Sequence, residues 1–350
     1  MTPQVSAILG CLLGTAVGDT VGLACEGLSP QRQSRLFPDL NGPRLLGHRG
    51  MVSDDTEHTC LVAQALIESA GEPEAFERAL ARRLRFWLLG LPAGVGGATL
   101  RACLKLCLGM PPAHSGVRSA GNGPAMRSAL LGICSGDEPV RLRELVRASA
   151  RLTHTDPKAE IGALAVAVAA SQAEGADSET YLRTMERLLG GADEGFLEIA
   201  RCAAVSTRAG ETTQAFAASL GAGQGVSGYV YSTVPVVLHT WFRHPKDFRT
   251  GVLSLVRCGG DTDTTAAIYG GIVGGAVGKD GIPAEWLSAL WEWPRTVSWM
   301  ERLAAQLAEV SASGVTQRPL ALPILPLAVR NVFFAGVILT HGFRRLGPPY

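Results

Sequence analysis

Apolar residues recur along most of the chain at intervals of three and four, the period of a helix with one buried face. The pattern is clear over residues 6–17, where Ile8, Leu12, Leu13 and Ala16 share a face, and it is expected to stop at Gly18-Asp19-Thr20. A buried helix is predicted over 59–67 and an amphipathic one, basic on its wet face, over 76–89. Glycine turns open two more, at 100–108 and 124–134, with Pro124 suited to a first helical position. The same periodicity predicts helices over 141–152, 159–173, 178–189, 196–207, 230–242, 248–256 and 284–306. Runs of alternating β-branched residues, the signal for strands, do not stand out anywhere. An all-α fold follows, with functional loops at helix N-termini and no clear boundary before residue 310. Residues 311–350 hold a Pro-rich connector (318–326) and an apolar C-terminal segment to which the sequence assigns no role.

Composition sharpens this reading. Of 350 residues, 47% are hydrophobic and 18% charged, enough apolar material for a sizeable core. A net charge of +1 gives no electrostatic reason to expect nucleic acid as a partner. The eight cysteines include no Cys-x-x-Cys pair and read as small buried hydrophobes of a reducing compartment. No basic region followed by an apolar run and a cleavage site marks the N-terminus. The apolar stretch 331–339 is bracketed by Arg330 and His341 and is too short for a bilayer, which needs about twenty apolar residues; it is expected to dock on the core. The expectation is a soluble, cytoplasmic monomer with no membrane partner.

Two acidic clusters carry the chemistry. Gly259-Gly260-Asp261-Thr262-Asp263-Thr264 runs straight into a small-residue apolar stretch, 266–278. Carboxylates at i and i+2 diverge on a continuous helix but can converge at a turn entering one, where the helix start eases their repulsion. Ser53-Asp54-Asp55-Thr56 has the same grammar far upstream. Each cluster alone is readable as a helix cap. If the two helix starts face each other, Ser53, Asp54, Asp55, Asp261, Asp263 and Thr264 make an oxygen-rich cage suited to one or two octahedral divalent ions. Glycine turns at Gly94-Val95-Gly96 and Ser119-Ala120-Gly121-Asn122-Gly123 expose N–H groups at helix starts, which suits phosphate. His154, ahead of Asp156-Pro157, is a candidate ribose or phosphate contact.

Gly14-Thr15-Ala16-Val17-Gly18-Asp19, Ser53-Asp54-Asp55-Thr56, Gly121-Asn122-Gly123-Pro124-Ala125-Met126-Arg127, Thr153-His154 and Gly259-Gly260-Asp261-Thr262-Asp263-Thr264 occur in series. In that order and at those intervals they resemble the ADP-ribosylglycohydrolase family, which includes ADP-ribosyl-dinitrogen-reductase hydrolases and ADP-ribosylarginine and ADP-ribosylserine hydrolases. The resemblance covers roughly the first 280 residues and stops before residue 311. It implies an orthogonal multi-helix bundle with a dinuclear Mg²⁺ or Mn²⁺ centre held by Ser53, Asp54, Asp55, Asp261, Asp263 and Thr264. By the same matching, Glu26 is the acid of a mobile flap, the turns at 94–97 and 119–123 hold the diphosphate, His154 lies on the ribose side, and Gly228-Tyr229 lines the groove. The flap loop departs from the family, since residues 21–27 lack the proline and aromatic often found there.

The implied reaction is hydrolysis of the bond between C1″ of ADP-ribose and an acceptor on a protein or small molecule. Arginine is the first expectation and an O-linked group the second, with Glu26, Asp54 or Asp55 handling the proton. Two other readings are open: a non-catalytic ADP-ribose-binding protein that keeps the fold, and an aspartate-nucleophile phosphatase, whose Asp-x-Asp-x-Thr signature Asp261, Asp263 and Thr265 match.

Overall fold

The first helix of the computed structural model runs Pro3–Leu23, six residues past the predicted stop. Gly18 and Gly22 do not end it, because their missing side chains are what let it pack. A Cβ on Gly10, Gly14, Gly18 or Gly22 would lie 2.0–2.3 Å from a carbonyl oxygen of Gly274, Gly270, Ala266 or Thr262 in turn. A glycine every fourth residue thus lets this helix lie backbone to backbone, along its whole length, against the helix Thr262–Val277. Residues Ile8 through Leu23 are buried without interruption, the all-round burial of a central core helix. The packing sets Asp19 beside the Asp263 turn and so places the site.

The structure describes residues 2–175, 177–344 and 347–348. Among them are 18 α-helices and two short 3₁₀ turns, with isolated bridges and no strand, so the all-α expectation is met. Several helices start two or three residues earlier than their apolar pattern, because proline occupies the first position or an acid caps it. Asp156, for example, accepts the Lys158 N–H at 3.0 Å and starts the helix Pro157–Ser171.

Two predicted helices are divided. Residues 124–134 become a 3₁₀ turn, Ala125–Arg127, and the helix Ala129–Ser135. Residues 284–306 become Ala284–Ser288 and Val297–Ser313, separated by a loop around Pro294, where a helix interior would lack a donor. That loop delivers Glu292 and Arg295 to the interior.

The C-terminal helix, Ile324–Arg344, corrects the core-docking expectation in part. Only a stripe docks: Arg330, Asn331 and Phe334 are buried, while Val332 and Leu339 are 73% and 62% exposed. Its length and composition would suffice to cross a bilayer, as would those of Pro3–Leu23, which lies in the core. Docking rests on polar anchors. Arg330 donates to Glu292 at 2.8 and 2.9 Å, to Glu57 at 3.0 Å and to the Val52 carbonyl at 2.6 Å. Arg295 reaches Glu57 at 2.8 Å, which closes a buried quartet of two acids and two arginines. Asn331 donates to the Gly90 carbonyl at 2.7 Å, and His341 meets the Leu45 carbonyl at 2.7 Å.

Candidate active site

The two acidic clusters face each other at the floor of one cleft of about 340 Å³. Ser53 caps the helix Asp54–Ser69, while Asp261 stands at the head of Thr262–Val277. Gly259 and Gly260 precede it at φ +70° and +79°, a double left-handed turn that side chains resist, and one that aims Asp261 back toward the cleft. Oδ2 of Asp55 accepts from Ser53 Oγ at 3.0 Å and from Thr264 Oγ1 at 3.2 Å, a direct link between the clusters. Asn122 Nδ2 donates to Asp261 Oδ2 at 2.7 Å and ties in the glycine turn.

A fifth acid, Asp19, was missing from the sequence-derived cage. Carboxylate oxygens of Asp19, Asp55 and Asp263, all buried, lie within 4.8 Å of one another. Asp19 sits on the first helix, at a position read as the helix end, so its Gly-Asp-Thr context passed for a turn. Its oxygens accept from the Ser53 N–H at 2.9 and 3.0 Å, from the Thr56 N–H at 3.3 Å and from the Thr56 hydroxyl. Asp19 therefore holds the Ser53–Thr56 turn in shape. Asp55 Oδ1 and Asp263 Oδ1, by contrast, are buried and have no hydrogen-bond partner. A buried carboxylate oxygen left unpaired costs several kcal/mol, and a hard cation is the partner that suits it.

The electrostatics agree. Burial first, then neighbouring carboxylates, drive Asp55 and Asp263 far above the usual carboxylate range. Burial, with Glu57, Asp19 and Glu26, does the same to Asp54. Asp19 rises to about 7 through burial, and its hydrogen bonds oppose the rise. Four acids this unwilling to ionise together mark a place for positive charge.

Of the other sequence-derived residues, Glu26, Gly94, Gly96, Ser119, Gly121, Asn122, Gly123, His154 and Gly228 all line the cleft, with Ser53, Asp54, Asp261, Asp263 and Thr264. Asp55 lies beneath it. Tyr229 stands next to the lining residue Gly228: its hydroxyl meets Lys158 Nζ at 2.9 Å and its backbone pairs with Gly121, so it braces the turn. His154 is buried under that turn, where a Cβ on Gly123 would approach it to 2.9 Å. Burial, then the Arg127 charge, lower it to about 3, so the imidazole is neutral. Arg127, fully buried, is fixed by Ser149, Thr153 and His58. Leu23, Phe334 and Ile338 also line it, and no sequence signal pointed to them. The phosphatase reading fails on context: its motif belongs at the end of a strand, and here it opens a helix.

The sequence profile of the ADP-ribosylglycohydrolase family matches residues 1–315. The chain belongs to the ADP-ribosylglycohydrolase family. Membership makes it a glycosidic-bond hydrolase. It is 32% identical over 308 residues to an uncharacterized protein of Archaeoglobus fulgidus, covering 86% of this chain and 95% of that one. It is 28% identical to the ADP-ribosyl-[dinitrogen reductase] glycohydrolase of Rhodospirillum rubrum, covering 81% and 89%. With the ADP-ribosylhydrolase ARH3 of Homo sapiens it shares 29% identity, covering 81% and 88%. A solved structure titled as an ADP-ribosylglycohydrolase-related protein complex superposes with a TM-score of 0.67 at 28% identity, covering 89% of this chain and all of the other.

Proposed function

We propose that this enzyme hydrolyses the bond between C1″ of ADP-ribose and a modified side chain, an arginine or an O-linked group. The observation that carries the reading is the pair of buried, unpartnered carboxylate oxygens on Asp55 and Asp263, at the floor of a cleft walled by glycine turns. Ser53, Asp54, Asp55, Asp261, Asp263 and Thr264 would hold two divalent cations, Mg²⁺ or Mn²⁺, with Asp19 shaping the loop from below. The chemistry supplied by such ions, when bound, is polarisation of the ribose hydroxyls and orientation of a water.

The protein's own groups divide the remaining work. The Gly94–Gly97 and Ser119–Gly123 turns offer backbone N–H groups to the diphosphate, so that binding far from C1″ positions it. A neutral His154 behind the second turn adds rigidity and no charge. Glu26 and Asp54 line the cleft, whereas Asp55 is buried and bonded to Ser53 and Thr264. Proton transfer to the departing acceptor or from the attacking water therefore falls to Glu26 or Asp54. The test uses labelled ADP-ribosyl-arginine and ADP-ribosyl-serine peptides, after chelation and with Mg²⁺ or Mn²⁺ restored. Release of ADP-ribose only with metal is expected. ADP-ribose binding without release from either peptide would favour a non-catalytic binder.

A further inference from the structure

The family profile ends at residue 315, yet the cleft does not. Two of its lining residues, Phe334 and Ile338, sit one turn apart on the C-terminal helix. They belong to a small apolar cluster with Leu23, Met51 and Ala93. Leu23 lies three residues before Glu26 and Met51 two before Ser53, so this wall stands beside the acids and, through Ala93, reaches the start of the Gly94–Gly97 turn. The turn of Gly121–Gly123 and His154 is no part of that cluster.

The wall is also held firmly. Arg330 stacks its guanidinium 4.4 Å over the Phe334 ring and donates to the Val52 carbonyl, next to Ser53. Phe333 packs edge-on against Trp291 at 5.5 Å, and His341 closes the far end on Leu45. A helix tied down at Arg330, Asn331, Phe334 and His341 keeps a fixed shape beside the cleft.

From this placement, and resting on the ADP-ribosyl hydrolase reading above, we infer that the C-terminal helix selects the acceptor. On that reading the group leaving C1″ departs beside Glu26 and Asp54, along the apolar wall of Leu23, Phe334 and Ile338. Phe334 is buried and fixes the backing, while Ile338, half-buried, narrows the opening. Such a wall narrows the opening, so it admits compact acceptors, a hydroxyl-linked residue, more readily than a long guanidino side chain. Ile338 is thus a specificity residue contributed by a segment outside the matched family region.

The experiment compares Ile338→Ala, Ile338→Trp and the outward-facing control Val332→Ala on serine-linked and arginine-linked ADP-ribosyl peptides, with ADP-ribose affinity measured separately by calorimetry. Ile338→Ala should raise the arginine-to-serine ratio of kcat/KM by about fivefold or more, and Ile338→Trp should lower it, in the range one or two methylenes decide. ADP-ribose affinity should stay within about twofold, and Val332→Ala should match the unaltered enzyme. An unchanged ratio in both Ile338 variants overturns the inference while the hydrolase reading stands. A loss equal on both peptides and matched by weaker ADP-ribose binding would assign the wall to ADP-ribose itself, and also overturns it. Failure of the unaltered enzyme to release ADP-ribose from either peptide defeats the underlying reading, and acceptor selection falls with it.

Discussion

Asp55 and Asp263 keep one oxygen each unpartnered in the interior, and this separates them from capping aspartates. Asparagine at either position preserves shape but removes a ligand charge. Each substitution should abolish turnover and, in chelator, raise the melting temperature by roughly a few degrees, since one of several crowded charges is gone. Scanning calorimetry of the chelated variants checks this, and a cap would behave oppositely, losing stability. Asp19 differs because its oxygens are already occupied by Ser53 and Thr56. Asp19→Asn should lower stability by about 1–3 kcal/mol. It should also weaken metal binding by about 10–100-fold with every other acid intact. Denaturant titration and calorimetry with Mn²⁺ read the two effects. Glu26→Gln should lower kcat by about a hundredfold or more with ADP-ribose affinity nearly kept. Modest, joint changes in kcat and KM would instead make Glu26 a flap-positioning residue. The sequence exposed the acids that sit on glycine turns, where a carboxylate looks out of place. Asp19 stayed hidden, because only the packing of its helix shows where it points.

At the scale of elements, the pairing of Pro3–Leu23 with Thr262–Val277 decides whether the clusters meet. Gly14→Leu would put a side chain where the Gly270 carbonyl lies, 2.1 Å from the first added carbon. Forcing the helices apart should cost at least about 1–3 kcal/mol. It should also abolish metal binding although no ligand has changed; denaturant unfolding and Mn²⁺ titration would show both. The buried quartet is the second hinge of the architecture. Arg330→Met leaves Glu292 without its two-pronged partner in the interior, at a cost of about 3–5 kcal/mol. Arg295 and Arg330 hold Glu57 below the usual carboxylate range against its burial, whereas burial keeps Glu292 above that range although both arginines oppose it. Loss of stability below about 1 kcal/mol on denaturant titration would show that Arg295 alone suffices for both acids.

For the whole molecule, the acid cluster couples folding to cation and pH. Asp19 in the folded, metal-free protein binds its proton up to about 7, against 3.8 for an ordinary aspartate. Between those values the folded state holds more protons than the unfolded one, so stability falls as pH rises. Asp54, Asp55 and Asp263 are raised in the same direction and add to the fall. A bound cation stabilises the ionised forms and should remove or reverse this slope. Melting temperatures from pH 4 to 8, in chelator and in Mg²⁺, should therefore diverge as pH rises. Parallel curves would mean that the cluster holds no ion.

The sequence by itself determined the helical class and most helix positions, because a 3.6-residue apolar period is a local property of the chain. It also determined both acidic clusters and the glycine turns, whose residue types are unusual where they stand. Only the tertiary structure decided that a glycine ladder carries the first helix through to Leu23 and makes Asp19 part of the site. Only packing could show that Tyr229 braces a turn while Phe334 and Ile338 wall the cleft. These are contacts between segments far apart along the chain. Their geometry depends on which faces meet, and no local pattern records that.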